Sequence, residues 1–581
     1  MKQNCLVFVC LVAVVSAAAC SSEPTSKQGL GIRVAVPVEG DDNPLLQAGA
    51  AFVAVTASGD NGDLTKPVVQ PIGPKASIEL PFIPYGSNRQ VRVEVYSKGA
   101  NGQPEALIGR GMSMPKEVAD DGKIGQAVVY LTRNNRFAPA VKDDGTTAAL
   151  DVARAGACAV AVPAGGEEYV FVLGGAAPGA GATADLASFK SAINSSVLYN
   201  TEKREMVAGP VLQEARAGQS CALGQSTVAV VGGYVNEGGK LNVSNSIEFF
   251  DGASLSFQKS QANQPDLVKA RAGATVVRMF PGMDYFLILG GKGEGSTKGC
   301  GVAAPCASNT WEVWHPQQGV FNQGLLGKPR YNHGATFIQT SKSSGYVVLV
   351  GGENDDEGVL GDFEVLAFNA RFEAGVLSIS SQDSPCPGDP SCKPPSAGGL
   401  DEWAWKPLSL PLQSGARTLP GVAYVSSPPQ YKGKDAFHYV VMAGGFSDVA
   451  HTKAESNIDV FELGAAAFVN QPGALKLAAP TGHPLVATPS RGTGLGQMLV
   501  AGGSDKSGKA SLVYFHEATN PKIATVGNVA EEASTLPDGG RLFGSATPLN
   551  TGVVLVTGGV DPGNPADASA GRTAVWLWNP Y

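Results

Sequence analysis

Charged residues are few. They make up 16% of the 581 positions, and Asp and Glu outnumber Lys and Arg by 51 to 43. The net charge of −8 and a pI near 5.4 withhold the basic footprint that a nucleic-acid partner requires. Histidine occurs six times, at His315, His333, His438, His451, His483 and His516, with no two at ligand spacing, and no cofactor is expected. Beyond the first twenty residues no run of 18 apolar residues occurs, which excludes a polytopic membrane protein. Glycine and proline are abundant, at 74 and 39. Together they form about 19% of the chain, against roughly 12% in ordinary globular chains. With 43% hydrophobic residues spread throughout, the excess reads as many turns around a sizeable core, and the length exceeds one ordinary domain.

Lys2 precedes an apolar stretch from Cys5 to Val15, and Ser16-Ala17-Ala18-Ala19 leads into Cys20-Ser21-Ser22. This is a secretory signal, too short to span a bilayer. Small residues directly before a cysteine resemble the bacterial lipobox, with Ala17 where leucine is usual. That resemblance implies acylation of Cys20 and, from Ser21, sorting to the outer membrane. Ordinary cleavage near Ala19 with an incidental Cys20 is the alternative. Residues 1–19 are read as signal peptide and 20–29 as a lipidated tether, with the body facing the periplasm or the cell surface. Six cysteines then remain, an even number that suits disulfides in an oxidising compartment. Cys300 and Cys306 close one short turn-rich loop, Cys386 and Cys392 another. A zinc site would want histidines nearby, and neither loop offers them.

Seven apolar runs end in a glycine pair: Gly174-Gly175, Gly232-Gly233, Gly290-Gly291, Gly351-Gly352, Gly444-Gly445, Gly502-Gly503 and Gly558-Gly559. Successive offsets are 58, 58, 61, 93, 58 and 56, and an insertion around Cys386 to Pro395 explains the long one. Upstream of most pairs stands an arginine followed by a small or glycine-containing turn: Arg154, Arg216, Arg271, Arg330, Arg417 and Arg541. The sixth unit lacks it and has His483 in roughly that place. Downstream comes an aromatic strand, such as that of Trp311 and Trp314 or of Trp576 and Trp578, and then a fourth apolar segment.

Four short β segments per unit, with paired glycines closing the second, resemble the kelch repeat, although the unit is longer than the roughly 50 residues usual there. The resemblance runs from near Val141 to Tyr581 and implies an all-β fold, a seven-bladed kelch-type β-propeller over 133–581 of the kind at the centre of galactose oxidases. Glycine pairs allow positive φ at the exit of each blade, and the tryptophans would fill the wedges between blades. The last unit reaches Tyr581 directly after its third strand, whereas Arg136 to Val141 looks like an orphan fourth strand. Segment 136–141 is therefore expected to complete the seventh blade and close the ring. Cys158 and Cys221 follow equivalent arginines of consecutive units by four and five residues, so a disulfide between neighbouring inner strands is feasible. The arginines themselves either bond carbonyls of an adjacent blade or ring the channel to receive an anion.

Residues 30–132 carry no repeat. Strands are expected around Ile32–Val38, Ala51–Thr56, Ala76–Phe82, Gln90–Tyr96, Ala106–Gly111 and Gln126–Leu131. That many strands in so short a segment suggest an immunoglobulin-like or prealbumin-like β-sandwich serving as a stalk.

Some kelch propellers are enzymes. The copper-radical chemistry of galactose oxidases needs a cysteine–tyrosine cross-link and converging histidines, and no such set stands out. Sialidase-type Ser-x-Asp-x-Gly-x-x-Trp boxes are absent. A kelch sugar mutarotase would need only an acid and a base in the central mouth, and no pair singles itself out. The run Glu353-Asn354-Asp355-Asp356-Glu357 has several calcium-type ligands but not EF-hand spacing, and reads as an exposed acidic turn. Trp403 and Trp405, in the long insertion, are either a sugar- or protein-contacting patch or part of the fourth unit's outer strand. The reading is a monomeric, lipid-anchored, non-catalytic envelope protein that recognises a protein or a glycan. The alternative is a carbohydrate-active propeller enzyme, a mutarotase or a copper oxidase.

Overall fold

The computed structural model describes residues 30–580 apart from 38–41, 61, 74–79, 120–124, 180–181, 190, 238–239, 260–265, 280–282, 296–299, 301–304, 340–343, 374–375, 381–407, 427–437, 464–466, 470, 490–495, 518–523 and 529–534. Cys20, Cys386, Cys392, Trp403 and Trp405, named above, lie outside the described residues. The fold is all-β. Helical content among the described residues is limited to short 3-10 turns such as Leu186–Ser188, and no helix is long and apolar enough to cross a membrane.

From residue 137 onward the described strands form seven antiparallel sheets of four or five strands, with three smaller sheets of two or three short strands beside them. In the first, Cys158–Ala164, Glu167–Leu173, Ser196–Asn200 and Glu205–Ala208 lie side by side in chain order. The next five follow the same plan, with first strands Ser220–Leu223, Thr275–Met279, Gly334–Gln339, Gly421–Ser426 and Leu485–Ala487. The fourth sheet has an additional strand, because the chain returns from its insertion through Leu408–Pro411 and pairs with Asp362–Val365. The seventh sheet is assembled from two distant segments. Leu542–Pro548, Val554–Val560 and Trp576–Trp578 come last in the chain, and Phe137–Pro139 pairs antiparallel with Trp576–Trp578.

The first strand of each sheet lies against the first strand of the next, and Leu542–Pro548 lies against Cys158–Ala164. Every neighbouring pair of sheets shares a hydrophobic cluster. Trp314 packs with Phe286 and Ile288 against Ala229 and Val231 of the sheet before, and Trp311 packs against Phe368 of the sheet after. Trp578 and Phe137 meet Leu499 and Leu512 of the sixth sheet, while Leu555 and Leu577 meet Val170 and Val172 of the first. Second strands such as Tyr285–Leu289 are buried along their whole length because sheets cover both of their faces.

One backbone hydrogen bond recurs between all successive sheets. The N–H of each second glycine donates to a carbonyl two residues upstream of the next first-strand turn. The pairs are Gly175 to Arg216, Gly233 to Arg271, Gly291 to Arg330, Gly352 to Arg417, Gly445 to Thr481, Gly503 to Arg541 and Gly559 back to Arg154, at 2.7–3.1 Å. Both glycines of each pair have positive φ, +57° at Gly351 and +100° at Gly352. A Cβ on Gly351 would also stand 2.1 Å from the Arg417 carbonyl oxygen, closer than real atoms approach. The glycine pair is thus required twice over, for its dihedrals and for the close approach of two backbones.

Residues 30–133 form two sheets. Ala50–Gly59, Gly86–Lys98 and Pro104–Met112 are the long strands of the larger sheet, while Leu30–Ala35 and Gly125–Tyr130 pair parallel in the smaller. Ile32, Ala127 and Val129 of the small sheet share one core with Val53, Val55, Val91, Val93 and Val95 of the large one. The strand expected at Ala76–Phe82 does not appear in its described part: Leu80, Pro81 and Phe82 are irregular, and the two prolines, Pro81 and Pro84, have no N–H for a ladder. This module is fastened to the seventh and first sheets. Asn579 Nδ2 donates to the Arg110 carbonyl and to Thr132 Oγ1, Gln90 Nε2 to the Asn550 carbonyl at 2.8 Å, and Tyr130 Oη to the Pro139 carbonyl at 2.8 Å.

Gly351→Ala tests the close approach. Gly165 also has positive φ, +61°, but nothing lies within 4 Å of its virtual Cβ. Gly165→Ala is expected to cost about 1–2 kcal/mol from the dihedral alone, and Gly351→Ala distinctly more. Denaturant unfolding of the two variants reads the difference; equal losses would mean that the carbonyl approach contributes nothing.

Candidate functional site

Two residues beyond each recurrent arginine, and beyond Thr481 in the sixth unit, the chain passes through the left-handed region. The residues there are Gly156, Gly218, Gly273, Asn332, Leu419, His483 and Phe543, with φ from +48° to +63°. Six of them are chained by backbone bonds: Gly156 N–H to the Phe543 carbonyl, Gly218 to Gly156, Gly273 to Gly218, Asn332 to Gly273 and Leu419 to Asn332. His483 is therefore not a substitute for the arginine. Thr481 supplies the carbonyl that an arginine supplies elsewhere, and His483 occupies the left-handed position.

Within this circle lies a cavity of ≈ 270 Å³. Gly156, Gly218, Gly273, Asn332, Leu419, His483 and Phe543 all line it, joined by Gln219, His333 and Tyr234. The loop after the first glycine pair crosses the mouth and contributes Ala184, Asp185 and Leu186. Asp185 fixes its tip by accepting from Ala187 N–H at 3.0 Å. Ala182 and Phe189 of the same loop share an apolar cluster with Phe446 of the fifth unit and Phe543 of the seventh.

On the far side the loop is held by His451, which follows the fifth glycine pair. His451 Nδ1 is 3.1 Å from the Ala184 carbonyl, and Nε2 is 2.8 Å from Glu353 Oε1. Glu353 is 3% exposed and also accepts from Thr418 Oγ1, Asn332 Nδ2 and Tyr331 Oη. Its burial opposes the charge, but these bonds outweigh it and keep the carboxyl below its ordinary pKa. A carbonyl and a carboxylate both need a donor, so the imidazolium is the form that satisfies both ring nitrogens. Burial lowers the His451 pKa, but Glu353, the Ala184 carbonyl and Asp185 raise it by more, and the net shift is upward.

The acidic run 353–357 is consequently not a solvated turn at its first residue. Asp355, Asp356 and Glu357 are exposed, as expected of an acidic turn; Asp355 accepts from Ala307 N–H, Asn354 Oδ1 from the N–H groups of Asp356 and Glu357, and Glu357 pairs with Lys328. Among the described residues no group of three or more His, Cys, Asp or Glu is arranged to hold a metal ion.

The six arginines do not ring the cavity. Each has 0% exposure and donates Nη1 to the carbonyl of its own unit's first glycine: Arg154 to Gly174, Arg216 to Gly232, Arg271 to Gly290, Arg330 to Gly351, Arg417 to Gly444 and Arg541 to Gly558. Each also meets a carboxylate, such as Glu312 for Arg271 or Glu364 for Arg330. The expected bond to a neighbouring unit is made instead by the arginine's backbone carbonyl. Cys158 and Cys221 form a disulfide with Cα atoms 5.9 Å apart, tying the first strands of the first two sheets, and Cys300 is bonded to Cys306.

No family model and no curated protein matches the chain. A solved structure described as "Structure of YjhT" aligns with 65% of this chain and 99% of its own, at 13% identity and a TM-score of 0.39.

The His451 bridge sets a pH dependence. Because its folded pKa is raised, its contribution is complete below the unfolded value of about 6.5 and is lost as pH rises through the folded value. Hydrogen-exchange protection of residues 183–189 is expected to fall from pH 6 to pH 9. In His451→Gln, whose amide cannot titrate, that fall should vanish; an identical pH profile in the variant would exclude the bridge as its cause.

Proposed function

We propose that the chain is an exported, monomeric lipoprotein of the outer membrane, anchored through Cys20 and facing the periplasm or the cell surface. In this reading a seven-bladed kelch-type β-propeller of 133–581, carried on an immunoglobulin-like or prealbumin-like β-sandwich of 30–132, recognises a protein or glycan without turning it over. The seven-membered cycle of glycine-to-carbonyl bonds supports the propeller, and the core shared by two sheets supports the sandwich. The observation that carries the function is the axial cavity, where loops of the first and fifth units meet over side chains from the fourth, sixth and seventh. A rigid scaffold presenting loops around a concavity is an arrangement suited to binding.

A carbohydrate-active enzyme is the second reading, favoured by one observation. His451 and Glu353 form a buried acid–base pair beside the mouth.

Two measurements test this function. Cys20→Ser should move the protein from the membrane to the soluble envelope fraction; unchanged membrane association would remove the lipid anchor. The full chain in detergent should bind saturably to at least one member of a panel of muropeptides, envelope oligosaccharides and envelope proteins, and Asp185→Ala should weaken that binding about tenfold. Absence of any saturable ligand, copper at one per chain, or accelerated interconversion of sugar anomers would each overturn the non-catalytic binding assignment.

A further inference from the structure

The cavity wall holds buried polar atoms that no protein group satisfies. His333 is 7% exposed, and neither of its ring nitrogens has a hydrogen-bond partner. His483 Nδ1 and Gln219 Oε1, on the same wall, are also unpaired. Gln219 is held in place, because its Nε2 donates to the Leu173 carbonyl at 2.7 Å. Burial, with the Arg330 charge beside it, pushes His333 down to about 3, and burial pushes His483 down to about 4. Both imidazoles are thus neutral at pH 7, each with one donor and one acceptor. Buried polar groups left unpaired are uncommon and call for a partner.

The charges of the site narrow what that partner is. Among the described residues no lysine or arginine lines the cavity. The His451 cation is matched by Glu353, and the repeat arginines are matched by carboxylates behind the wall. An anion would therefore meet the Asp185 carboxylate with no free cation to offset it. The remaining wall is partly apolar, with Leu186, Leu419 and Phe543. Groups that both donate and accept, on a compact carbon frame, match this set, and hydroxyls do both. At ≈ 270 Å³ the cavity falls just below the roughly 300 Å³ lower bound usual for small-molecule sites, so the guest is small.

We infer that the axial cavity takes a small neutral polyol of monosaccharide size, whose hydroxyls bond His333, His483 and Gln219 while its carbon face packs on Leu186 and Phe543. This inference rests on the recognition reading above and names its ligand class.

The test compares isosteric probes on the full chain in detergent at pH 7 by saturation-transfer NMR and calorimetry. The probes are the neutral hexoses glucose, galactose and mannose, their uronates, and the corresponding 2-amino sugars. At least one neutral hexose should bind saturably, at least tenfold tighter than its uronate and its amino sugar. His333→Phe and, separately, Gln219→Leu should each weaken it at least tenfold without lowering the melting temperature, since replacing an unpaired buried polar group with an apolar one removes a penalty. A uronate or amino sugar that binds as well as or better than the hexose overturns the neutral-ligand inference and leaves recognition at the mouth standing. Hexose binding unaffected by both substitutions overturns the placement of the site. No binding by any probe overturns the polyol, while the envelope panel judges recognition independently.

Discussion

The structure depends on one contact, the N–H of a second glycine donating to the carbonyl of the following unit's arginine or, once, threonine. Two backbones must come within hydrogen-bonding distance edge to edge, which leaves no space for a Cβ and requires positive φ on the donor side. The arginine acts in both directions. Its guanidinium binds the carbonyl of its own unit's first glycine, and its backbone carbonyl receives the preceding unit's second glycine. Each of the six units that has the arginine is thereby braced internally and clasped to its neighbour by the same residue. Buried guanidinium groups are tolerable only when paired, and each of these has a carboxylate within its own unit or turn.

The sixth unit departs from this pattern. Thr481 keeps the clasp through its carbonyl but has no guanidinium for the Gly502 carbonyl. The inner circle of bonds through the left-handed residues runs from Phe543 through Gly156 to Leu419, and His483 lies between its two ends. The unit that lacks the arginine places the imidazole of His483 at its left-handed position on the cavity wall.

Much of the architecture was legible because repeats convert long-range order into local signal. Glycine pairs, arginines and aromatic strands recur in step, and the all-β fold follows from them. The Cys158–Cys221 disulfide could be anticipated because both cysteines follow equivalent arginines. The arginines' carbonyls, as opposed to their side chains, were not legible, since every residue has a carbonyl and nothing in the sequence marks one as special. Nor was the His451–Glu353 pair, whose members belong to loops of different units and share no repeat position. Glu353 sits in an acidic run that composition alone reads as solvent-facing; its burial comes from Asn332, Thr418 and His451 arriving from elsewhere.

A signal for the cavity was nevertheless present, in the position two residues after each arginine or Thr481. Read in chain order it is Gly, Gly, Gly, Asn, Leu, His and Phe. Left-handed φ disfavours most side chains, so four consecutive departures from glycine carry a backbone cost that must be offset by what the side chains do. Two of the three glycines, for their part, make room for Leu186, and the third, Gly273, lies against Asn332. A Cβ on Gly156 would lie 2.4 Å from Leu186 Cδ2, and one on Gly218 2.7 Å from the same atom. Gly156 and Gly218 therefore seat the tip of the first unit's loop, and Asn332, Leu419, His483 and Phe543 line the same cavity. The departure of four of the seven positions from glycine is what gives the cavity a distinct chemistry on each side.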